Sequence, residues 1–183
     1  MEDYAGDALT TGSYNIAIGK SALSTEDSHG RNIAIGWQAL KDLNAGTDAY
    51  NVAIGHDAGK FVSTGTGNTL IGGLAGDALT TGIQNIAIGL TALTTEDTGS
   101  KSVAIGTAAL RDQNYDGHAY NVAIGHDAGA SVTTGTNNTI IGGLAGDALT
   151  TGYSNVAIGR NALSTEDTGR ANVAVGYYAL ATQ

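Results

Sequence analysis

The chain has 183 residues, a formal net charge of −9, 28 glycines, and neither cysteine nor proline. Without cysteine it can form no disulfide and no thiolate metal site. Its negative charge argues against a nucleic-acid groove or an anionic-membrane binder, because both need clustered lysine and arginine. No apolar run is long enough to span a bilayer. Glycine without proline suits a chain that turns often and keeps every backbone N–H available for a hydrogen-bond ladder.

A five-residue motif, NIAIG in its first copy, recurs ten times along the chain. The copies begin at residues 15, 32, 51, 68, 85, 102, 121, 138, 155 and 172, so successive starts lie 17 or 19 residues apart. The motif alternates over β-branched residues and ends in glycine, which is typical of a strand followed by a turn. A fixed short period indicates that each copy is one coil stacked on the next. The predicted fold is an all-β, parallel β-solenoid or β-roll of ten coils.

A longer repeat of four coils is superimposed on the single coil. The segment AGDALTTG begins at Ala5, Ala75 and Ala145, which are 70 residues apart. No linker or change of composition interrupts this period, so residues 1-183 are interpreted as one continuous domain. The chain begins and ends within a coil, and open coil edges can pair with other strands. We therefore expect either flanking domains or end-to-end stacking into filaments.

Two columns of the motif predict the corners of each coil. The final glycine is present in all ten copies, which indicates a positive φ or a close approach between backbones. The leading residue is asparagine in nine copies and Ser102 in the other. Asparagine tolerates the left-handed conformation, and stacked amides can form a ladder. A second, shorter strand is expected near the Ala-Leu or Leu-Thr-Thr segment of each coil.

The column four residues after the motif glycine separates two coil types. Six coils have leucine there, and four have glycine at Gly59, Gly76, Gly129 and Gly146. Each glycine is followed three residues later by an aliphatic residue: Val62, Leu79, Val132 or Leu149. Either arrangement supplies one branched aliphatic side chain per coil, which keeps a packed interior filled. The two longer coils are expected to bulge at 43–50 and 113–120.

The motif strand is apolar on both faces, which is typical of a strand that is buried on both sides. Ile16 and Ile18 share one face and are expected to close the interior of the coil, whereas Ala17 points the other way. The alanine face then needs a partner surface. We expect a homo-oligomer, most simply a trimer around a common axis. The alternative is a monomeric solenoid with an exposed alanine stripe.

The sequence N-[IV]-A-I-G, followed three residues later by alanine and with TTG between copies, resembles two families of repeats. These are the head repeats of trimeric autotransporter adhesins and the repetitive shafts of bacteriophage tail fibres. The resemblance covers essentially the whole chain and implies a left-handed parallel β-roll that trimerises and attaches to a surface or host. The period of 17 to 19 residues is longer than that of the adhesin head. The longer period and the TTG turns favour the phage-type shaft.

Acidic clusters and histidines are the candidates for a metal site. Glu26 and Asp27, joined by Asp48 from the adjacent long loop, could offer oxygens to Ca²⁺, which takes six to eight. No EF-hand spacing supports that site, so a solvated acidic turn is preferred. His56 is beside Asp57, and three copies of it around a threefold axis could bind a metal. A solvent-facing His-Asp pair is preferred, and no cofactor is expected.

Aromatic side chains are the candidates for recognition. Trp37, Tyr177 and Tyr178 follow motif glycines, and Tyr50 and Tyr120 precede motif asparagines. Such rings suit sugar stacking or protein contact, but they suit the filling of gaps at corners equally well. The threonine pairs, such as Thr80-Thr81, raise the alternative of ice binding. Adjacent residues point to opposite sides of a strand, so these pairs do not form a Thr-x-Thr rank.

The sequence therefore predicts a structural or adhesive fibre segment rather than an enzyme. A narrow solenoid offers no deep pocket, and no nucleophile–base pair recurs. The expected role is a rigid shaft or head of a tail fibre or surface adhesin, located outside the cell. A module that binds glycan or a host surface is the main alternative, and an ice-binding solenoid is another. Neither nucleic acid nor membrane is an expected partner.

Overall fold

A computed structural model describes residues 4–181 of the chain. It contains ten strands of three residues each, all in one parallel sheet whose spatial order follows the chain order. The strands are β1 (Ile16–Ile18), β2 (Ile33–Ile35), β3 (Val52–Ile54), β4 (Thr69–Ile71), β5 (Ile86–Ile88), β6 (Val103–Ile105), β7 (Val122–Ile124), β8 (Thr139–Ile141), β9 (Val156–Ile158) and β10 (Val173–Val175). Each motif copy pairs in register with the next, as Ala34 does with Ala53. The predicted all-β parallel solenoid is confirmed, and no helix is present between residues 4 and 181.

The remainder of each coil consists of turns and bends. A second, shorter strand near the Ala-Leu or Leu-Thr-Thr segment was expected, and this prediction is wrong for the described residues, which add to the ten strands only two isolated bridges, Ser100 with His118 and Tyr153 with Arg170. These segments nevertheless stack through backbone hydrogen bonds between coils. The Leu23 N–H donates to the Ala39 carbonyl at 3.0 Å, and the Leu40 N–H donates to the Ala58 carbonyl at 3.1 Å. The turns prevent an extended strand because several of their residues have positive φ.

The sidedness of the motif strand is the reverse of the expectation. The central alanines, such as Ala34 and Ala87, are fully buried in the interior of the solenoid. The flanking residues face outward, and Ile16 and Ile18 of β1 are 46% and 58% exposed. Alanine is required inside because the leucine of the turn projects into the same narrow space, which leaves little volume behind the strand. The interior is thus lined by small strand residues and large turn residues.

The exchange of leucine and glycine in the turn column has a conformational cause. Leu23, Leu40 and Leu93 have φ values of 51°, 48° and 53°, and Gly59 and Gly76 have φ values of 57° and 53°. All of these residues are left-handed. Glycine adopts that conformation without strain but fills no core volume, whereas leucine is strained and fills it. The predicted replacements Val62, Leu79, Val132 and Leu149 are fully buried, which confirms the volume argument.

Two strands have a large residue instead of alanine at their central position, and these residues also compensate for the volume that the turn glycines leave empty. Leu70 and Ile140 stand where the other strands have alanine, and both are fully buried. A Cβ atom on Gly59 would lie 2.5 Å from Leu70 Cδ1, and one on Gly76 would lie 2.8 Å from Leu70 Cδ2. Leu70 therefore occupies the space left by the two glycines. Ile140 occupies the corresponding space beside Gly129, where an added Cβ would lie 2.9 Å from its Cδ1.

The motif glycine has both properties that the sequence predicts. Its φ is 122° at Gly19 and 140° at Gly89, a region that residues with side chains rarely adopt. A Cβ atom on Gly19 would lie 2.5 Å from the carbonyl oxygen of Gly36 in the next coil. Consecutive coils therefore meet backbone to backbone at this corner, and the corner assignment is confirmed.

The asparagine column forms an internal ladder, but its conformation differs from the expectation. The left-handed residue is the one before the asparagine, for example Tyr50 with a φ of 54°. The Asn68 N–H donates to Oδ1 of Asn51 at 2.9 Å, and Asn68 Nδ2 donates to the Gly82 carbonyl at 2.9 Å. The side chain thus links its coil to the next and also closes its own coil. The predicted ladder is confirmed, although it runs mainly from side chain to backbone.

Ser102, the one departure from asparagine, lies in a buried polar cluster. Gln113 is fully buried, and its Nε2 donates to Ser102 Oγ at 3.0 Å and to Glu96 Oε2 at 2.9 Å. Its Oε1 accepts from Asn121 Nδ2 at 2.8 Å. The Gln113 amide therefore occupies the place of the missing asparagine amide. In the preceding super-repeat the same two positions hold Asn32 and Leu43, so the two sites change together.

Candidate functional site

The outward residues of β1 to β10 form two aliphatic columns on one face of the sheet. We call this face the aliphatic strip. It is built of isoleucine and valine except at Thr69 and Thr139. Strands lie about 4.8 Å apart, so the strip is roughly 45 Å long. Its residues are half-buried by one another along the strip and more exposed at its ends, where Val173 is 68% exposed. An apolar surface of this length is a candidate contact face.

The first rim of the strip is the column that precedes each asparagine. It consists of Tyr14, Arg31, Tyr50, Gly67, Gln84, Lys101, Tyr120, Asn137, Ser154 and Ala171. The Arg31 guanidinium lies 4.9 Å from the centre of the Tyr14 ring and 5.6 Å from that of Tyr50, in cation–π contact with both. Arg31 Nε also donates to Asp48 Oδ2 at 2.7 Å. This hydrogen bond lowers the pKa of the Asp48 carboxyl and raises that of Arg31.

The second rim is the column that follows each motif glycine. It consists of Lys20, Trp37, His56, Gly73, Leu90, Thr107, His126, Gly143, Arg160 and Tyr177. The rings of Trp37 and His56 lie 4.5 Å apart, centre to centre. Tyr177 packs edge-on against Tyr178, also at 4.5 Å. These predicted recognition residues therefore contact neighbouring rings, but the two groups lie at different positions along the rim.

The two rims carry positive charge only. They hold Lys20, Arg31, Lys101 and Arg160, which are four of the eight lysines and arginines, and no aspartate or glutamate. This is notable in a chain of net charge −9. The carboxylates lie beside the rims or elsewhere: Asp57 contacts His56, with 3.5 Å between Oδ2 and Nδ1. The strip is thus an aliphatic surface bordered by aromatic and cationic side chains.

The acidic candidates for a metal site divide into separate groups. Glu26, Asp27 and His29 each place one ligand atom within 4.8 Å of the other two. Glu26 is fully buried, and its Oε1 accepts from the His29 N–H at 3.0 Å. One nitrogen and two carboxylates, of which one already accepts a backbone N–H, fall short of the six to eight oxygens that calcium takes. The remaining candidates, Asp48 and His56, pair with Arg31 and Asp57 respectively.

The predicted His-Asp pair is found at both equivalent positions. His56 has a side chain that is 58% exposed, and His126 has one that is 67% exposed. His126 Nδ1 lies 2.9 Å from Asp127 Oδ2. Both imidazoles thus face solvent beside a carboxylate, which agrees with the preferred interpretation.

The first threonine of each pair is used within the solenoid. Thr80 Oγ1 donates to the Asp97 carbonyl at 3.0 Å, and Thr150 Oγ1 donates to the Asp167 carbonyl at 3.0 Å. The second threonine of each pair, such as Thr81, is exposed, and so is the first threonine of the pair nearest the amino terminus, Thr10. Thr64 and Thr81 lie in adjacent coils, as do Thr134 and Thr151. The two pairs are 70 residues apart, so these hydroxyls form no continuous rank.

Burial changes the acidity of one internal carboxyl group. It raises the pKa of Glu96, although Glu96 accepts hydrogen bonds from Gln113 and from the Gly99 and Tyr115 N–H groups. Glu96 Oε1 accepts from the Gly99 N–H at 2.8 Å, which closes the turn around the side chain. The hydrogen bonds of Glu96 thus lie within the solenoid and connect its own turn to Gln113.

Sequence reasoning overlooked the aliphatic strip and Arg31. The strip was assigned to the interior because isoleucine and alanine are both apolar. The useful signal was the coincidence of Leu70 and Ile140 with glycines in the turn, since only an interior residue can compensate for lost core volume. Arg31 could have been recognised from its position in one column between Tyr14 and Tyr50.

Between residues 4 and 181 the structure contains no helix with the length and hydropathy of a membrane span. Compared with known proteins, the chain matches no family model, no curated protein and no solved structure, so its resemblance to adhesin and tail-fibre repeats stays a prediction.

Proposed function

We propose that this chain is a rigid structural segment of an extracellular fibre or adhesin. The observation that supports the proposal is the unbroken in-register pairing of ten strands, from β1 to β10. Every coil is joined to the next by the strand and by the bonded turns. The asparagine ladder adds a further link at each junction except the one after Ser102, where Asn121 bonds to Gln113 instead. A stack connected at several corners resists bending, which is the mechanical requirement of a shaft.

The same geometry would display side groups at regular intervals. The long loops 43–50 and 113–120 occupy the same corner four coils apart, or about 19 Å at the usual strand spacing. The exposed loop residue Tyr115 belongs to one of them. A shaft of this kind would present the two loops at a fixed spacing.

Attachment to a virion fibre or a cell surface, homo-oligomerisation and end-to-end stacking belong to the same proposal. The trimer expected from the sequence rested on an outward alanine face. Those alanines are buried, so an interface between copies is better sought on the aliphatic strip. No catalytic role and no cofactor are proposed.

The rod is tested by lengthening it. Duplication of residues 75–144 adds one super-repeat and should extend the particle by about 19 Å without changing its cross-section. Small-angle scattering and negative-stain images measure both dimensions. If the chain with the duplication formed a particle of unchanged length, the proposal of a shaft would be refuted. Gold-labelled antibody against the chain should decorate fibres outside the producing cell or on a virion, and labelling confined to the cytoplasm would refute the location.

A recognition role is the second candidate, favoured by the exposed Trp37–His56 and Tyr14–Arg31–Tyr50 groups. Aromatic faces suit the apolar faces of sugars. A glycan array should show binding that Trp37→Ala abolishes and that Tyr153→Ala, at a different corner, retains. Absence of binding to any glycan by the unaltered chain would leave the plain shaft. Ice binding stays a prediction that a thermal-hysteresis assay decides.

A further inference from the structure

The aliphatic strip is larger than the apolar patch of an ordinary monomer. Two columns of ten residues, with strands about 4.8 Å apart and outward residues about 6.8 Å apart, cover roughly 650 Å². Typical monomers expose patches of about 300–600 Å² at most, and larger ones mark contact sites. Burying the strip against an identical strip would remove about 1,300 Å² from water, which reaches the range of stable protein interfaces at about 1,200–2,000 Å². The area of the strip alone is therefore large enough for a stable dimer interface.

We propose that the aliphatic strip is the interface between two copies of this chain, packed face to face about a twofold axis parallel to the strands. This deepens the fibre proposal by naming the partner of the exposed face. A twofold contact is self-complementary, so the same strip serves both copies. Two flat sheets pack about 10 Å apart with their strands aligned within about 30°, which this axis satisfies.

A twofold axis parallel to the strands reverses the order of the coils, and each rim then faces its own counterpart. By their place in the 70-residue super-repeat the coils are numbered as four types, of which the first begins at residues 15, 85 and 155. Coils of the third type, with Tyr50 or Tyr120 on the first rim and His56 or His126 on the second, face coils of the fourth type. The fourth type has Gly67 or Asn137 on the first rim and Gly73 or Gly143 on the second. Large side chains therefore face small ones on both rims.

The remaining two coil types complement each other in charge. Reversal places Lys20 opposite Tyr177 and Trp37 opposite Arg160, which are favourable cation–π pairs. On the other rim it places Arg31 opposite Ser154. No two cations oppose each other in these pairs, although the rims contain no carboxylate. The sequence of the rims thus fits reversed copies.

The other face-to-face arrangement fits less well. A twofold axis along the solenoid keeps the coil order and places each rim opposite the other rim of the same coil. Tyr50 would then face His56, while Gly67 would face Gly73. Bulky pairs would hold the sheets apart at one coil and leave a gap at the next, which close-packed interfaces avoid. The reversed arrangement distributes the same side chains evenly.

The mass of the particle in solution is the first test. Sedimentation equilibrium of the 183-residue chain should give twice its mass of 18.3 kDa. A monomer or a trimer at micromolar concentration would overturn the proposal. The double variant Ile88→Lys/Ile105→Lys places charges on the strip near the axis and should raise the dissociation constant at least a hundredfold. The matched control Thr81→Lys/Thr151→Lys adds the same charges at exposed positions of the TTG corner and should leave the dimer intact.

The coil order is tested by exchanging two rim residues. Asn137 has a φ of 59°, close to the 54° of Tyr50, so either side chain suits either position. Asn137→Tyr alone should weaken the reversed dimer at least tenfold, because two pairs of tyrosines would then collide. Tyr50→Asn/Asn137→Tyr should restore the affinity. In the unreversed arrangement position 137 faces Gly143, so an unchanged affinity of the single variant would overturn the reversed order.

Circular dichroism and thermal unfolding of each variant show whether the fold is retained, which the outward orientation of these side chains favours. Failure of the dimer is distinguishable from failure of the fibre proposal. A chain that stays monomeric but lengthens as a rod after duplication of residues 75–144 would overturn only the interface.

Discussion

The motif glycine makes a prediction whose two physical causes can be separated. In Gly89→Ala the new Cβ would lie 2.5 Å from the carbonyl carbon of Gly106 and 3.0 Å from the Thr107 nitrogen. The backbone φ of 140° is itself unfavourable for alanine. Gly176 has a similar φ of 126°, but the nearest atom to its added Cβ lies 4.0 Å away. Gly176→Ala is therefore a matched control with the strain and without the collision.

The magnitudes follow from these distances. Backbone strain costs about 1–3 kcal/mol and applies to both variants. The collision at position 89 separates the coils by about 1 Å, because carbon atoms in contact need about 3.5–4.0 Å. The Gly106 N–H to Ile88 carbonyl bond of 2.7 Å and the Ala108 N–H to Leu90 carbonyl bond of 2.9 Å would then be stretched. Each lost bond costs about 1 kcal/mol. Gly89→Ala should therefore destabilise by about 4 kcal/mol in total.

Thermal unfolding and amide hydrogen exchange measure the outcome. A chain of this size loses about 2–4 °C of melting temperature per kcal/mol, so Gly89→Ala should melt about 8–16 °C lower. Repeat proteins can unfold in parts, so exchange at the Gly106 and Ala108 amides provides the local measurement. Equal destabilisation by Gly89→Ala and Gly176→Ala would refute the close-approach argument.

Three further predictions concern the interior. Gln113→Leu removes an amide that bonds to Ser102, Glu96 and Asn121, and should cost about 3 kcal/mol in denaturant unfolding because buried polar groups lose partners. Adding Ser102→Asn recreates the pair of the preceding super-repeat and should recover most of this loss; no recovery would contradict the exchange. Leu70→Ala should cost about 2–5 kcal/mol through the cavity it leaves, and Gly59→Leu in the same chain should partly refill it; a further loss of stability would count against the volume argument. The raised pKa of Glu96 means that the folded chain binds this proton more tightly than the unfolded chain. Its contribution is full below the unfolded pKa and is lost as pH rises through the folded pKa, so the stability of the unaltered chain relative to Glu96→Gln should fall as pH rises above the ordinary glutamate pKa of about 4.3. A flat or rising difference would show that Glu96 is not the group responsible.

The coil and its corners could be predicted from the sequence, because glycine and asparagine recur at fixed positions with few physical explanations. The sidedness of the strand could not be predicted from the alternation. Both Ile33 and Ala34 are apolar, so the period of two identifies two faces without saying which is inside. The available volume decides which face is inside. The leucine of the turn enters the interior, and only alanine leaves room for it. Between residues 4 and 181 no coil forms a second strand, because left-handed residues such as Leu40 interrupt it, a conformation that propensity alone does not predict for leucine.

The candidate surface was predicted only in part. Trp37, Tyr50, Tyr120, Tyr177 and Tyr178 are exposed, as the sequence suggested. Their partners were missed because stacking between coils joins residues 17 or 19 positions apart, and Arg31 and His56 become neighbours of aromatic rings only through that register. The aliphatic strip was missed because its isoleucine and valine side chains were assigned to the interior of the coil. The wrong assignment of the two strand faces therefore made both the predicted core and the predicted surface wrong.

The asparagine ladder also has a direction, and that direction bears on how the chain folds during synthesis. Asn68 Nδ2 donates to the Gly82 carbonyl within its own coil. Asn68 Oδ1 accepts from the N–H of Asn85, which belongs to the coil that is synthesised next. A coil can close as soon as its own residues have left the ribosome, and it then presents an acceptor to its successor. The strand contacts span only 17 or 19 residues, so the relative contact order is about 0.1, a value typical of fast-folding helical bundles rather than of β-sandwiches. We expect the chain to be assembled coil by coil from its amino terminus.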